Sequence, residues 1–360
     1  MSNKIILKKN SIVYVLAPAN TFTGGPELLH QFAHHFFRLF KVKTKMIYLP
    51  MDQKNLVHKN FKKYKVAYSS SIIDHKDNLL IIPEASMYLD FSMKFKKLRK
   101  ILWWMSLDNY YGYKFKFEYN KYLRSVIKIP YNLINTFNKM VNYSFGIYTE
   151  HDYLKFFYNF SSLNKQKELT QITLHMAQSY YSLNFLKKEF KNVKYLSDYQ
   201  RDEIIKMNKI KTKNKKNIIC YSGKSNEFIN KIIKFTNLPM IKLSGLSSNK
   251  IIKILKSSKL FLDFGYHPGK DRLPREAVIL NNCIITNKKG SALNSMDIPI
   301  KKEYKFLETN SNLPKIKKTI SKIITEYHNE INYFKNYKNI VLKEKKKFLI
   351  DLKKIFIKKF

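Results

Sequence analysis

The stretch Lys259 to Thr286, KLFLDFGYHPGKDRLPREAVILNNCIIT, decides how the chain is read. Leu260-Phe261-Leu262-Asp263-Phe264 is a short apolar and aromatic run, Cys283-Ile284-Ile285-Thr286 is another, and both read as buried strands. Between them Gly265, Pro268 and Gly269 let the backbone bend, and a helix is expected to start near Pro274, a residue favoured at a first helical position. The order is strand, loop, helix, strand. Unpaired N–H groups at that helix start, beside Lys270, Arg272 and Arg275, suit a bound anion such as a phosphate. Glu276 could complement the helix dipole, or accept hydrogen bonds from sugar hydroxyls next to that phosphate. The expectation is that this stretch holds the diphosphate and ribose of a nucleotide-sugar.

Outward from this stretch the same alternation recurs. Strands are expected at Ile218–Tyr221 and Met240–Leu243, and helices at Asn226–Phe235 and Ser248–Leu255. If these strands are parallel, the loops Ser222–Ser225, Gly265–Arg275 and Asn287–Ala292 fall on one edge of the sheet, and each contains glycine and lysine. Gly223, Lys224 and Gly290 thereby join the candidate donor site. Chance must place all three loops at carboxyl ends, so their convergence says more than any one of them. Beyond Leu313 the chain is lysine-rich, with Ile320, Ile323, Ile324, Tyr327, Ile331 and Phe334 at helical spacing, which predicts helices packed across the second domain.

In the N-terminal half, Ile12–Ala17 reads as a strand that runs into a loop with Gly24, Gly25, Pro26 and Glu27, followed by apolar residues at helical spacing. The two glycines would let a ligand approach a helix start, and a structural turn explains them equally well. Further short strands at Lys45–Leu49, Val66–Tyr68, Leu79–Ile82 and Ile101–Met105 predict a parallel sheet covered by helices. Glu84 follows one of these strands, and Asp108 and Asn109 follow another, where ligands gather in open parallel sheets. Turn and cap roles explain them too. Tyr110 to Asn142 reads as a basic, aromatic helical insertion, either a solvated surface or a contact for lipid. Phe145–Thr149 reads as the last strand of the first domain, and Lys211–Asn217 as a charged connector.

A length of 360 residues suggests two domains. No apolar run reaches the roughly 20 residues needed to span a bilayer, and the first residues lack the core of a signal peptide, so a cytoplasmic location is expected. Cys220 and Cys283 fall in predicted strands as free thiols. The net charge of +42 favours polyanions or an anionic membrane surface, although lysine is used in excess throughout the chain. Gly265 to Lys270 is one residue short of a P-loop and Asp271 stands where a hydroxyl residue belongs, which argues against an ATPase. Zinc spacing, a G-x-S-x-G elbow and a D-x-D pair are all absent from the sequence.

Several strings together resemble GT-B glycosyltransferases, particularly a set from bacterial surface-polysaccharide clusters. They are GGPELLHQ (Gly24–Gln31), WWMSLDNY (Trp103–Tyr110), HMAQSYY (His175–Tyr181), LSDY (Leu196–Tyr199), YSGKSNE (Tyr221–Glu227) and DFGYHPGKDRLPREA (Asp263–Ala277). The resemblance implies two Rossmann-like doubly wound α/β domains facing a cleft, with the donor on the C-terminal one and the acceptor on the N-terminal one. It also implies that Glu276 contacts the donor ribose, because Pro274–Ala277 is similar to the end of an E-x7-E motif. The first Glu of that motif is replaced by Pro268 here, a departure that bears on stereochemistry and the donor sugar.

The expected domains are residues 1–155 for the acceptor, 156–216 as inter-domain segment and connector, 217–312 for the donor, and 313–360 as basic helices. The expected function is metal-independent transfer of a sugar from a nucleotide-sugar to a growing bacterial surface glycan or its lipid-linked precursor. No cofactor and no specific nucleic-acid partner are expected, and peripheral association with the inner face of the plasma membrane is a secondary expectation beside the cytoplasmic one. Lys224, Lys270, Arg272 and Arg275 would neutralise the leaving diphosphate, and Glu84 or Asp108 would orient or deprotonate the acceptor. Gly24, Gly25, Glu27 and Asn109 would line the acceptor side. Two alternatives are a non-catalytic protein that binds RNA or an anionic membrane, and a transferase of another phosphate-linked group.

Overall fold

The computed structural model describes residues 4–112, 128–130, 133, 136, 140, 163–209 and 215–360. It divides into two compact units, Met1–Ser197 with Phe348–Phe360, and Asp198–Lys347.

The first unit is built on a seven-stranded parallel sheet. Its order is Ala67–Tyr68, Lys43–Leu49, Ile12–Pro18, Leu79–Pro83, Arg99–Trp104, Ile172–Ala177 and Val193–Tyr195. Val13, Val15 to Ala17, Leu79 to Ile82 and Ile101 to Trp104 are fully buried, because a parallel sheet is covered on both faces and its strands are apolar without alternation. Each Val, Leu or Ile side chain among them stabilises the fold by about 1.5–3 kcal/mol. Helix Gly24–Phe40 lays Leu28, Leu29, Phe32, Ala33 and Phe36 on the sheet and ends at Lys41 in the left-handed region (φ 55°). The chain builds outward on one side of Ile12–Pro18 and then crosses to Leu79–Pro83, so the order reverses between these two strands.

The second unit has a five-stranded parallel sheet in the order Met240–Leu243, Lys216–Ser222, Ser258–Asp263, Cys283–Asn287 and Lys305–Phe306. Here the order reverses between Lys216–Ser222 and Ser258–Asp263. Helices Phe228–Thr236, Ser248–Ser257, Arg272–Ile279 and Leu313–Thr325 surround a core that includes Phe261, Ile284, Ile316 and Ile320. Both cysteines are buried in strands as free thiols.

Several expectations are revised. Ile172–Ala177 and Val193–Tyr195 lie within the 156–216 stretch expected to link the domains, yet they pair into the first sheet. The first unit therefore runs to Ser197 rather than residue 155. The C-terminal residues do not all belong to the second unit: from Phe348 they count with the first, where Phe356–Lys358 pairs in parallel with Ile5–Leu7 and Phe356 packs edge-on to Phe36 at 4.9 Å. Helix Arg272–Ile279 begins two residues before Pro274, which still sits in the first turn where no N–H is needed. The expected strand Phe145–Thr149 and most of the Tyr110–Asn142 insertion lie outside the described residues; Tyr110 and Tyr111 themselves are buried in the core of the first unit.

Candidate functional site

In the second unit three loops leave the carboxyl ends of neighbouring parallel strands, and hydrogen bonds tie them together. Ser225 forms an antiparallel bridge with Gly265, and Asn226 N–H donates to the Phe264 carbonyl at 3.1 Å. Asn287 Nδ2 donates to the Gly265 carbonyl at 2.6 Å. Ser291 donates its N–H to the His267 carbonyl (2.9 Å) and its Oγ–H to the Gly269 carbonyl (2.6 Å). Gly290 takes φ 49°, and a Cβ there would overlap the His267 carbonyl, so only glycine fits. Gly223 is similarly constrained, since a Cβ would lie 2.6 Å from the Leu243 carbonyl.

The basic side chains divide into two groups. Arg275 is fully buried and spent within the protein: Nη2 donates to Asp198 Oδ2 and Nη1 to Glu344 Oε2, each at 2.8 Å, while Nη2 and Nε reach the carbonyls of Lys270 and Asp271. Lys270 Nζ is 2.7 Å from Glu344 Oε1. Burial by itself would raise the Asp198 carboxyl, and the guanidinium of Arg275, then that of Arg272, outweighs it and holds the group down to about 2. Arg275 itself is held well above its ordinary value by the same two carboxylates against burial. Lys224, by contrast, is largely exposed, 3.4 Å from Asp271, and Arg272 lies 3.5 Å from Asp198 at the first position of the helix. Glu276 accepts from Arg201 Nη2 at 3.3 Å, and burial raises its carboxyl.

Arg275 was expected to face a diphosphate, but its donors are taken by two carboxylates and two carbonyls. In this structure it fixes the loop rather than offering a free charge. Three participants were not singled out in the sequence. Asp198 lies in the LSDY string, so a signal for it existed. Glu344 sits within a run of lysines, and no local pattern marks it. His267, fully buried, has Asp271 3.4 Å from Nδ1 and Asp263 3.9 Å from Nε2; these carboxylates raise it although burial opposes that.

In the first unit the expected residues are also held by the protein. Glu84 is buried and accepts from Met105 N–H (3.1 Å), tying the ends of two adjacent strands, and burial pushes its carboxyl up to about 7. Asp108 is fully buried and accepts from the Tyr181 hydroxyl at 2.9 Å, and Asn109 N–H donates to Ser106 Oγ. Glu27 is buried beneath Tyr64, whose hydroxyl donates to it at 3.0 Å, with Lys63 at 3.7 Å. Gly24 and Gly25 are the first two helical residues; a Cβ on Gly25 would meet Met105 at ordinary contact distance, so space does not demand glycine there. Among the described residues, no group of three or more His, Cys, Asp or Glu is placed to hold a metal ion, and no helix is long and apolar enough to cross a membrane.

Two parallel-sheet units with these strand orders and C-terminal helices define a GT-B fold. Solved structures share it. HepE from Anabaena, in complex with UDP and glucose, matches with a TM-score of 0.56 at 9% identity, covering 95% of this chain and 97% of that one. TarM from S. aureus, a mutant in complex with fondaparinux, alpha-GlcNAc-glycerol and UDP, matches at 0.51 and 11%, covering 79% and 56%. Sucrose-phosphate synthase from Thermosynechococcus elongatus matches at 0.51 and 8%, covering 96% and 95%. No family model and no curated protein sequence matches the chain.

Proposed function

We propose that the protein is a glycosyltransferase that moves a sugar from a nucleotide-sugar to a growing bacterial surface glycan or its lipid-linked precursor. The observation that carries this is the closure of three glycine-bearing loops over the carboxyl ends of the second sheet, with Glu276 in the first turns of the helix that follows the largest loop. The fold supports it, because HepE with UDP-glucose (TM-score 0.52, 10% identity) and TarM with UDP share the architecture. Glu276 takes the ribose hydroxyls. Lys224 and Arg272, with the N–H groups of the helix start, meet the diphosphate as charge develops on it, without a metal ion. Lys270 and Arg275 hold the loop in place through Glu344 and Asp198. In the first unit, Glu84, Asp108 and Asn109, with Gly24, Gly25 and Glu27 at the helix start, shape the acceptor side. The net charge of +42 keeps the protein at the anionic inner face of the membrane.

The test is titration of the full chain with a panel of nucleoside diphosphates, together with Glu276→Ala. Loss of a buried, charged hydrogen bond to the ribose should weaken binding about 10- to 100-fold. Unchanged nucleotide affinity alongside a lowered melting temperature would make Glu276 a helix residue only and remove the donor site from this loop.

A further inference from the structure

The first unit contains a cavity of about 680 Å³ at the carboxyl ends of Ile12–Pro18 and Lys43–Leu49, large enough for a disaccharide. None of the residues proposed above for the acceptor side lines it. Its wall carries Lys54, Lys59, Lys62 and Lys65, and among the described residues no carboxylate. The cavity is half open and all four lysines are exposed, so their like charges gather positive potential around one mouth, which an anion there would neutralise.

Deeper in the same wall lies a buried pair, His30 and Tyr48. His30 Nδ1 is 2.7 Å from the Pro26 carbonyl, which can only accept, so Nδ1 carries the proton. Burial lowers the imidazole to about 4, against the hydrogen bond to Pro26, so the ring is neutral at pH 7 and Nε2 bears a lone pair. The Tyr48 hydroxyl, 2.7 Å away, therefore donates to Nε2. Phe61 stacks on the same imidazole at 4.3 Å and keeps its plane. With its proton committed, the Tyr48 oxygen can only accept from a ligand. So weak a base would gain little by taking a proton from a sugar hydroxyl, which makes the pair a binding element.

Inorganic phosphate matches this arrangement less well, because any proton it can give Tyr48 sits on the same small group that carries the charge and cannot also reach the lysines at the mouth. A ligand with a hydroxyl to donate and an anionic group some ångströms away satisfies both halves of the wall. We propose that this cavity binds an anionic saccharide, with a sugar hydroxyl on Tyr48 and a carboxylate or phosphate among the four lysines. Calling that saccharide the acceptor rests on the glycosyltransferase reading; the binding site itself does not.

The test is calorimetric titration of the full chain at fixed ionic strength with four probes: a glucuronic-acid-terminated disaccharide, its glucose-terminated neutral counterpart, glucose 1-phosphate and inorganic phosphate. At least one of the two anionic saccharides should bind about 10-fold or more tightly than the neutral sugar and than phosphate, and which one does so identifies the anion. Lys59→Gln with Lys62→Gln, both on the surface, should remove about 10-fold of that affinity. Tyr48→Phe should weaken both anionic and neutral sugars, with its melting temperature recorded alongside. Equal binding of neutral and anionic sugars, binding of phosphate as tight as that of any sugar, no binding of either anionic saccharide, or full affinity in the double lysine variant would each overturn the assignment. UDP titration of the same samples reads the second unit separately, so failure there removes the glycosyltransferase reading and leaves this result standing.

Discussion

Replacing Arg275 with methionine removes the cation at the centre of the second unit's ionic cluster and keeps much of its volume. Arg275→Met leaves Asp198 and Glu344 buried, with Lys270 still 2.7 Å from Glu344 and Arg272 at 3.5 Å from Asp198. Breaking a buried pair in this way costs about 3–5 kcal/mol, chiefly from the stranded charge. For a unit of this size that is a fall in Tm of roughly 6–20 °C. The pH dependence gives a second handle. In the wild type the Asp198 carboxyl is depressed to about 2, so its stabilising contribution is complete above the unfolded value near 3.8 and fades only as pH falls below that. In the variant, burial of Asp198 is no longer opposed by Arg275 and raises its carboxyl, so stability is regained as pH falls from 7 towards 4. The deficit should therefore be largest at neutral pH and shrink in mild acid. Scanning calorimetry at pH 7, 5 and 4 measures it, with UDP titration of the folded variant alongside. A deficit below about 1 kcal/mol at pH 7 together with a large loss of UDP affinity would refute the reasoning and return Arg275 to the diphosphate.

Glu84→Gln should flatten a specific part of the stability profile. Burial raises the folded carboxyl from 4.5 to about 7, so its contribution is fully present below the unfolded value and lost as pH rises through 7, by up to about 3 kcal/mol. Urea midpoints at pH 5 and 8 should differ less in the variant than in the wild type, and equal differences would contradict this. Gly290→Ala should destabilise the second unit by about 1–3 kcal/mol, because its Cβ meets the His267 carbonyl and its φ is positive. Nucleotide affinity should fall with it, since Ser291 holds the Gly265–Arg275 loop; a melting temperature within 1 °C of wild type, on the order of experimental error, would show that the loop simply moves aside.

The strands were legible in the sequence where the apolar runs are continuous. Leu79–Ile82 and Leu260–Phe264 show no alternation, which marks strands covered on both faces. The loop glycines were legible for a related reason: Gly223 and Gly290 sit where another backbone comes too close for a side chain. Ile172–Ala177 was harder to place. It contains His175 and is followed by polar residues, and its identity as a sheet strand depends on pairing with Arg99–Trp104, about seventy residues earlier.

The α/β class of each half and the edge on which its glycine-bearing loops lie were readable from local patterns, because those follow from side chains within a few residues of one another. The sequence by itself could not decide what each charged residue does there. Arg275 reads locally as a phosphate-binding cation, and its partners stand 77 and 69 residues away in sequence, at Asp198 and Glu344. Likewise Glu84 is bonded to the end of a neighbouring strand, and His30 meets Tyr48 only because the helix lies across the sheet. A charged side chain is free for a ligand or consumed by the fold according to which opposite charge tertiary packing brings within about 3–4 Å, where the attraction offsets the cost of leaving water. That distance is set by how distant segments pack.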